Sequence, residues 1–197
     1  MSGSLKIPVS ADTTKSQVAQ KALEAGAEII NDISALTGDK KMAAVVRKAN
    51  AALVLMHMRG KPENMQTGDL AYDNLMEEIA GFLKRRCTKA LAAGIERERL
   101  VIDPGIGFGK TYEDNCKIIF RLEELKTLGL PIMIGTSRKA FIGSVTGEAA
   151  DQRTEGTAAT VAAAVMKGCS IVRVHDVAAM KKVAAMTDAI VHAGMAS

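Results

Sequence analysis

Short apolar runs alternate along the chain with longer stretches in which apolar and polar positions repeat at helical spacing. The runs are Ile7–Ser10, Glu28–Ile30, Ala52–Met56, Leu100–Ile102, Pro131–Ile134 and Ser170–Val174. Near-continuous hydrophobicity over so few residues predicts strands covered on both faces, as in a parallel sheet flanked by helices. The intervening helices have readable ends. One is predicted from near Thr14 to Gly26, burying Val18, Ala19, Ala22 and Leu23, and another from an Asp73 cap to Gly94. A third starts at Asp114, carries Ile118, Ile119, Leu122 and Leu125, and stops at Gly129; a fourth, rich in alanine, runs from about Thr154 to Gly168. Polar N-caps and terminal glycines supply the partners that helix ends lack.

Six strand–helix units follow from this pattern. A complete eight-unit β/α barrel needs ~250 residues, and the chain has 197. The expected class is therefore α/β, either a TIM-type barrel with about six of its eight units or an open doubly wound sheet. With no Pro/Ser-rich linker, residues 7–197 read as one domain. Residues 1–6 read as a lead-in, its Met1-Ser2-Gly3-Ser4 resembling an expression scar.

Composition narrows the function classes. Hydrophobic residues make up 48% of the chain, which argues against disorder. No apolar run reaches the ~18 residues of a membrane span, and the first ten residues hold no signal-peptide core. Cys87, Cys116 and Cys169 are too scattered for a disulfide framework or zinc site, and read as reduced thiols in a cytoplasmic protein. The net charge is +4, but aromatics are only 3% and tryptophan is absent, so nucleic-acid binding is disfavoured. The densest basic run, Lys84-Arg85-Arg86, lies within a helical pattern and reads as a solvated face.

The candidate chemistry sits after the strands. Run one leads into Ala11-Asp12-Thr13, run two into Asn31-Asp32, and run three into His57-Met58-Arg59-Gly60. Run four leads into Asp103-Pro104-Gly105 and run five into Gly135-Thr136-Ser137-Arg138-Lys139, while run six carries Arg173, His175 and Asp176. Parallel strands place their C-terminal ends on one rim, so these groups are expected to converge on a shared polar site. Asp12, Asn31 and Asp103 are hydrogen-bond acceptors suited to a heterocycle displaying amino and ring N–H groups. Lys139, Arg173 and His175 are donors or cations suited to phosphate or carboxylate oxygens.

Other features carry less. The run Gly105-Ile106-Gly107-Phe108-Gly109-Lys110-Thr111 approaches a phosphate-gripping loop but puts Pro104 where the first glycine is required. Its glycines read as a sharp turn, with Phe108 either against a flat ligand or in the core. His57 lacks a second histidine or cysteine at ligand spacing and reads as structural, and no metal-ligand set is assigned. Asp73 and Asp114 read as helix caps, and His192 has no functional context.

The segments VSADTTK, AEIINDIS, VLMHMRGKPENMQ, VIDPGIGFGKT, IMIGTSRKAFIG and IVRVHDV together resemble the dihydropteroate synthase family, from about Ile7 to Ile190. The resemblance implies a β/α barrel that joins 4-aminobenzoate to hydroxymethyl-dihydropterin diphosphate in folate biosynthesis, releasing diphosphate with the help of Mg²⁺. It implies that Asp12, Asn31, Asp103 and Lys139 hold the pterin, that Met56, Phe108 and Gly135 line its pocket, and that Arg173 stacks on it. Arg173 and His175 are implied as diphosphate ligands, and Lys139, Arg173 and His175 as the catalytic set. Two strand–helix units that open the family's barrel have no counterpart here, including a loop with a metal-linked asparagine, so impaired turnover is an expectation. The strands at Ile7–Ser10 and Ser170–Val174 would then be open edges, and a homodimer or other self-association is expected to cover them. Two alternatives stand: a non-catalytic pterin-binding fragment, and a pterin-binding methyltransferase acting on methyl-tetrahydrofolate. The Ser137-Arg138-Lys139 and Arg173-x-His175 patterns favour the synthase over the methyltransferase.

Overall fold

A computed structural model of the chain describes residues 6–60 and 70–195. They group into two compact units, one holding the chain up to Met58 with Glu77–Pro104, the other Arg59–Met76 with the residues from Gly105 onward.

In the first unit, β1 (Ser10–Asp12), β2 (Ile29–Asp32), β3 (Ala52–Met56) and β4 (Leu100–Asp103) form a four-stranded parallel sheet in sequential order. Its helices are α1 (Ser16–Glu24), α2 (Met42–Lys48) and the portion from Glu77 onward of α3 (Leu75–Ala92). Register pairs Asp12 with Asn31, Asn31 with Val54, and Met56 with Asp103. Because successive side chains alternate between faces, Ile30, Asp32, Leu53, Leu55, Leu100 and Ile102 share one face, and all are fully buried. The buried faces of the helices contribute Ala19, Met42, Val46, Ile79, Leu83 and Ala90. Each fully buried Leu or Ile there contributes about 1.5–3 kcal/mol. The opposite face carries Asp12, Asn31, Met56 and Asp103 at the strands' C-terminal ends.

The second unit holds α4 (Tyr112–Phe120), β5 (Met133–Ile134), α5 (Ala140–Thr146), α6 (Thr154–Met166), β6 (Ile171–Val172) and α7 (Val177–Met195). β5 and β6 pair in parallel, and the bond from Arg173 N to Ile134 O (2.9 Å) extends the pairing past β6. α6 packs on α7 around Val161, Val165 and Met180. Alanine and valine on every side of α6 fit a helix covered by α4, α5 and α7.

Some boundaries differ from the sequence pattern. β1 begins at Ser10, not Ile7: Pro8 has no N–H to donate, Ile7 is 68% exposed, and the contact with β2 opens at the Val9 carbonyl. The helix expected to start at Asp114 starts at Tyr112, with Thr111 as N-cap and Asp114 three residues in; each side chain bonds the other's backbone N–H. That helix does not continue to Gly129, since the chain tightens into a 3₁₀ turn over Leu122–Leu128.

Candidate functional site

The sheet of the first unit offers a face of acceptors. Asn31 Nδ2 donates to Asp12 Oδ1 at 3.1 Å, which fixes the amide so that its oxygen points elsewhere. Asn31 is only 5% exposed, and its Oδ1 has no hydrogen-bond partner among the described residues. A buried acceptor left without a donor costs roughly 1–3 kcal/mol. Asp103 is also buried, next to Met56 in register. The geometry asks for a ligand that brings N–H groups.

Neighbouring residues have structural duties. Asp32, expected to join the polar rim, turns to the helix-covered face. Its carboxylate accepts from Ser34 N (2.9 Å), Ser34 Oγ (2.6 Å) and Leu36 N (2.7 Å), fastening a loop in which Ala35 and Leu36 have positive φ. Arg86 Nε donates to Ala35 O of that loop. Burial pushes the Arg86 guanidinium below its usual value, while the Asp32 charge acts in the opposite direction. His57 is buried edge-on to Phe82, with ring centres 5.0 Å apart, and its backbone N–H donates to the Asp103 carbonyl at 2.9 Å. This agrees with its structural reading.

The second unit gathers aromatic and cationic groups. Gly105, Gly107 and Gly109 all have positive φ, so the segment after β4 turns sharply. Gly107 N donates to the buried Asn115 Oδ1 at 2.7 Å, and Tyr72 Oη donates to Gly109 O at 2.9 Å. A Cβ on Gly109 would lie 2.4 Å from Arg59 O, too close for any other residue. Lys110, in the phosphate-loop lysine position, is buried and donates to Phe108 O at 3.0 Å, which ties it to its own loop. Lys139 Nζ lies 4.2 Å from the Phe108 ring centre, so the half-buried ring meets a cation on one face. Gly135 sits beside Arg173, whose Cβ would be 3.8 Å from a Cβ placed there.

Arg173 and His175 are exposed. The His175 backbone N–H donates to Ser137 Oγ at 3.2 Å, and Ser137 Oγ lies 2.9 Å from His175 Nδ1. In the tautomer in which Ser137 gives its hydroxyl proton to Nδ1, Nε2–H is left as the second ring donor. Burial pushes the Cys87 and Cys116 thiols above their usual value, with the Glu113 charge adding to the effect at Cys116, so neither is an activated thiolate.

The structure thus brings Asp12, Asn31, Met56 and Asp103 together on one sheet face, and Phe108 with Lys139, Gly135 with Arg173, and Ser137 with His175 in the second unit. Sequence reasoning missed how His175 is held, and that Arg138 pairs with Asp176 (2.8 and 3.2 Å). Their only sequence signal was their place within GTSRK and RVHD. Among the described residues no group of three or more His, Cys, Asp or Glu is placed to hold a metal, and no helix is long and apolar enough to cross a membrane.

Residues 1–175 match a family described as pterin binding enzyme. The chain is 48% identical over 186 residues to the dihydropteroate synthase of Clostridium beijerinckii, covering 94% of this chain and 66% of that protein. It is 43% identical to the dihydropteroate synthase of Bacillus subtilis, covering 96% and 64%. The chain therefore spans just under two thirds of the length of these curated relatives. Among solved structures, the Yersinia pestis dihydropteroate synthase with a sulfonamide drug superposes with a TM-score of 0.93 at 35% identity, over 96% of this chain and 69% of that one. The Thermus thermophilus dihydropteroate synthase in complex with 4-aminobenzoate gives 0.88 at 39% identity, over 94% and 72%. These likenesses bear out the β/α-barrel class and set aside the open doubly wound sheet.

Proposed function

Because the chain belongs to the pterin-binding enzyme family, we propose that it carries the dihydropteroate synthase reaction, condensing 4-aminobenzoate with hydroxymethyl-dihydropterin diphosphate. The single observation that supports this most is the buried, unpartnered Asn31 Oδ1 on a sheet face shared with Asp12 and Asp103. A pterin edge brings the amino and ring N–H groups that such acceptors require.

In this proposal Asp12, Asn31 and Asp103 accept from the pterin, and Met56 lines its pocket. Phe108, Gly135, Lys139 and Arg173 are the proposed pterin contacts of the second unit, and Arg173 with His175 binds the diphosphate. Lys139, Arg173 and His175 form the catalytic set. The arylamine nitrogen attacks the pterin methylene carbon and the carbon–oxygen bond to diphosphate breaks. The departing oxygen keeps the electron pair, and the amine loses a proton. Donors preorganised on that oxygen stabilise the charge as it develops, which is where such sites gain most of their rate. The Nε2–H of His175 and the guanidinium of Arg173 suit this role.

Mg²⁺ is implied by the resemblance; among the described residues no group of three or more His, Cys, Asp or Glu is placed to hold it, and no step is assigned to it. The methyltransferase alternative has no specific observation in its favour. Self-association also belongs to the proposal. β1 and β6 each pair with one strand in their sheets, and Val177, Met186 and Ile190 of α7 are exposed. Light scattering should give a mass above 20.8 kDa; a compact monomer at high concentration contradicts this part.

The test of the reaction mixes both substrates with the protein, with and without Mg²⁺, and follows dihydropteroate and released diphosphate together. Equal formation of the two supports the proposal. Bound pterin diphosphate without product favours the non-catalytic pterin-binding alternative, and no binding at all overturns both.

A further inference from the structure

Arg138 occupies a conformation that non-glycine residues avoid, with φ of 58°. A left-handed backbone costs about 1–2 kcal/mol at such a residue, so its surroundings must hold it there. Three contacts do so. Its N–H donates to Oγ1 of the fully buried Thr157 (3.1 Å), and its carbonyl accepts from Arg153 Nη1 (3.0 Å). Its guanidinium forms a two-point ion pair with Asp176, at 2.8 and 3.2 Å, with both side chains about two thirds buried. Arg153 is itself fixed by the Glu148 carbonyl (3.0 Å), and lies so close to Gly143 that a Cβ there would be 2.3 Å from its Nη2.

The position of this pair matters. Arg138 separates Ser137 from Lys139, and Asp176 follows His175 and accepts the N–H of Met180 at the start of α7 (3.0 Å). The ion pair therefore joins the two backbone segments that carry the two halves of the Ser137–His175 contact. We propose that Arg138 and Asp176 act as a clamp that holds Ser137 Oγ against His175 Nδ1, making both positioning residues for the imidazole. A bidentate guanidinium–carboxylate pair suits the task because it fixes orientation as well as distance. Assigning the ligand of the imidazole as diphosphate rests on the proposed function; the clamp itself does not.

The test uses the full chain and two readouts. Long-range ¹H–¹⁵N spectra of the three histidines, assigned by substitution, report the His175 tautomer in the ligand-free protein. Calorimetry with inorganic diphosphate reports the anion site. In Asp176→Asn and Arg138→Ala, the His175 signals are expected to move from a single Nε2–H form towards a tautomer mixture, and diphosphate affinity to fall about tenfold. Arg138→Lys, which keeps the charge but not the two-point geometry, should restore part of the loss and carries the test if the others do not fold. A folded variant that melts earlier yet keeps the parent's imidazole signals and affinity overturns the clamp. If the parent ignores diphosphate, the diphosphate reading fails, and the imidazole spectra alone decide the clamp by the same change or absence of change.

Discussion

Two adjacent buried polar residues, Asn31 and Asp32, should respond to substitution with opposite signs. Asn31 gives its amide N–H to Asp12, an exposed residue, and keeps an unpartnered buried oxygen. Replacing it with leucine forfeits one hydrogen bond, held to ~0.5–1.5 kcal/mol because its carboxylate partner Asp12 is exposed to water, and removes an orphan acceptor costing ~1–3 kcal/mol. The net expectation runs from a loss of about 0.5 to a gain of about 2.5 kcal/mol, centred on a gain of about 1 kcal/mol, or roughly 2–4 °C in Tm for a chain of this size. Asp32 is the counterexample. Its two oxygens accept three hydrogen bonds, and Arg86 places a positive charge nearby. Hydrogen bonds to a charged group contribute ~1.5–3 kcal/mol each, so Asp32→Ala should lose at least ~2 kcal/mol. Urea unfolding of parent, Asn31→Leu and Asp32→Ala measures all three, with pterin binding followed by calorimetry. Asn31→Leu should be folded, within ~0.5 kcal/mol of the parent or more stable than it, and unable to bind pterin. A loss of more than ~1 kcal/mol in Asn31→Leu would show that the amide has a structural partner and is not held ready for a ligand.

Three further outcomes are expected. Gly109 and Gly147 both have positive φ, but a Cβ meets Arg59 O at 2.4 Å in the first and nothing within 4 Å in the second. Alanine at Gly147 should cost only the backbone term of ~1–2 kcal/mol; alanine at Gly109 should cost clearly more in the same unfolding assay, and equal costs would refute the contact. Asp39 accepts from Ser16 N (2.8 Å) and Lys41 N (2.9 Å), and bonds to the Ser16 side chain and these backbone donors lower its carboxyl to about 2. A lowered folded-state pKa stabilises above the ordinary value of 3.8 and is lost as pH falls through about 2. Asp39→Asn should therefore flatten the decline in Tm between those values and leave its pH dependence near neutrality unchanged. Lys110→Ala, by contrast, should weaken pterin binding less than Asp103→Ala, because the Lys110 ammonium is engaged with its own loop; equal losses on calorimetry would contradict that.

Much of this was legible in the sequence because it depends on local chemistry. Ala52–Met56, uniformly apolar and closed by His57, is a strand to the residue. The alanine-rich helix begins at Thr154 as expected, and ends at Met166 just before Gly168. Asp12, Asn31 and Asp103 were visible as polar residues that close apolar runs. Other features depend on pairing between distant segments. Alternation alone puts Asn31 and Asp32 on opposite faces, but which of the two faces the helices cover depends on distant segments and is not revealed by four residues. Ser137 with His175 and Arg138 with Asp176 meet across 38 residues. The Thr111–Asp114 capping box is readable from its three-residue spacing, which makes Thr111 the cap and Asp114 its reciprocal partner. α2 and α5, at seven residues each, are too short for helical periodicity to stand out.

The most direct measurement of the central claim is a calorimetric titration of hydroxymethyl-dihydropterin diphosphate into the parent protein, Asp103→Ala and Arg173→Ala. The parent should bind one equivalent, Asp103→Ala should lose binding of both this compound and the diphosphate-free pterin, and Arg173→Ala should be weakened most with the diphosphate present. A parent that binds neither, or an Asp103→Ala protein that binds the pterin as tightly as the parent, would contradict it.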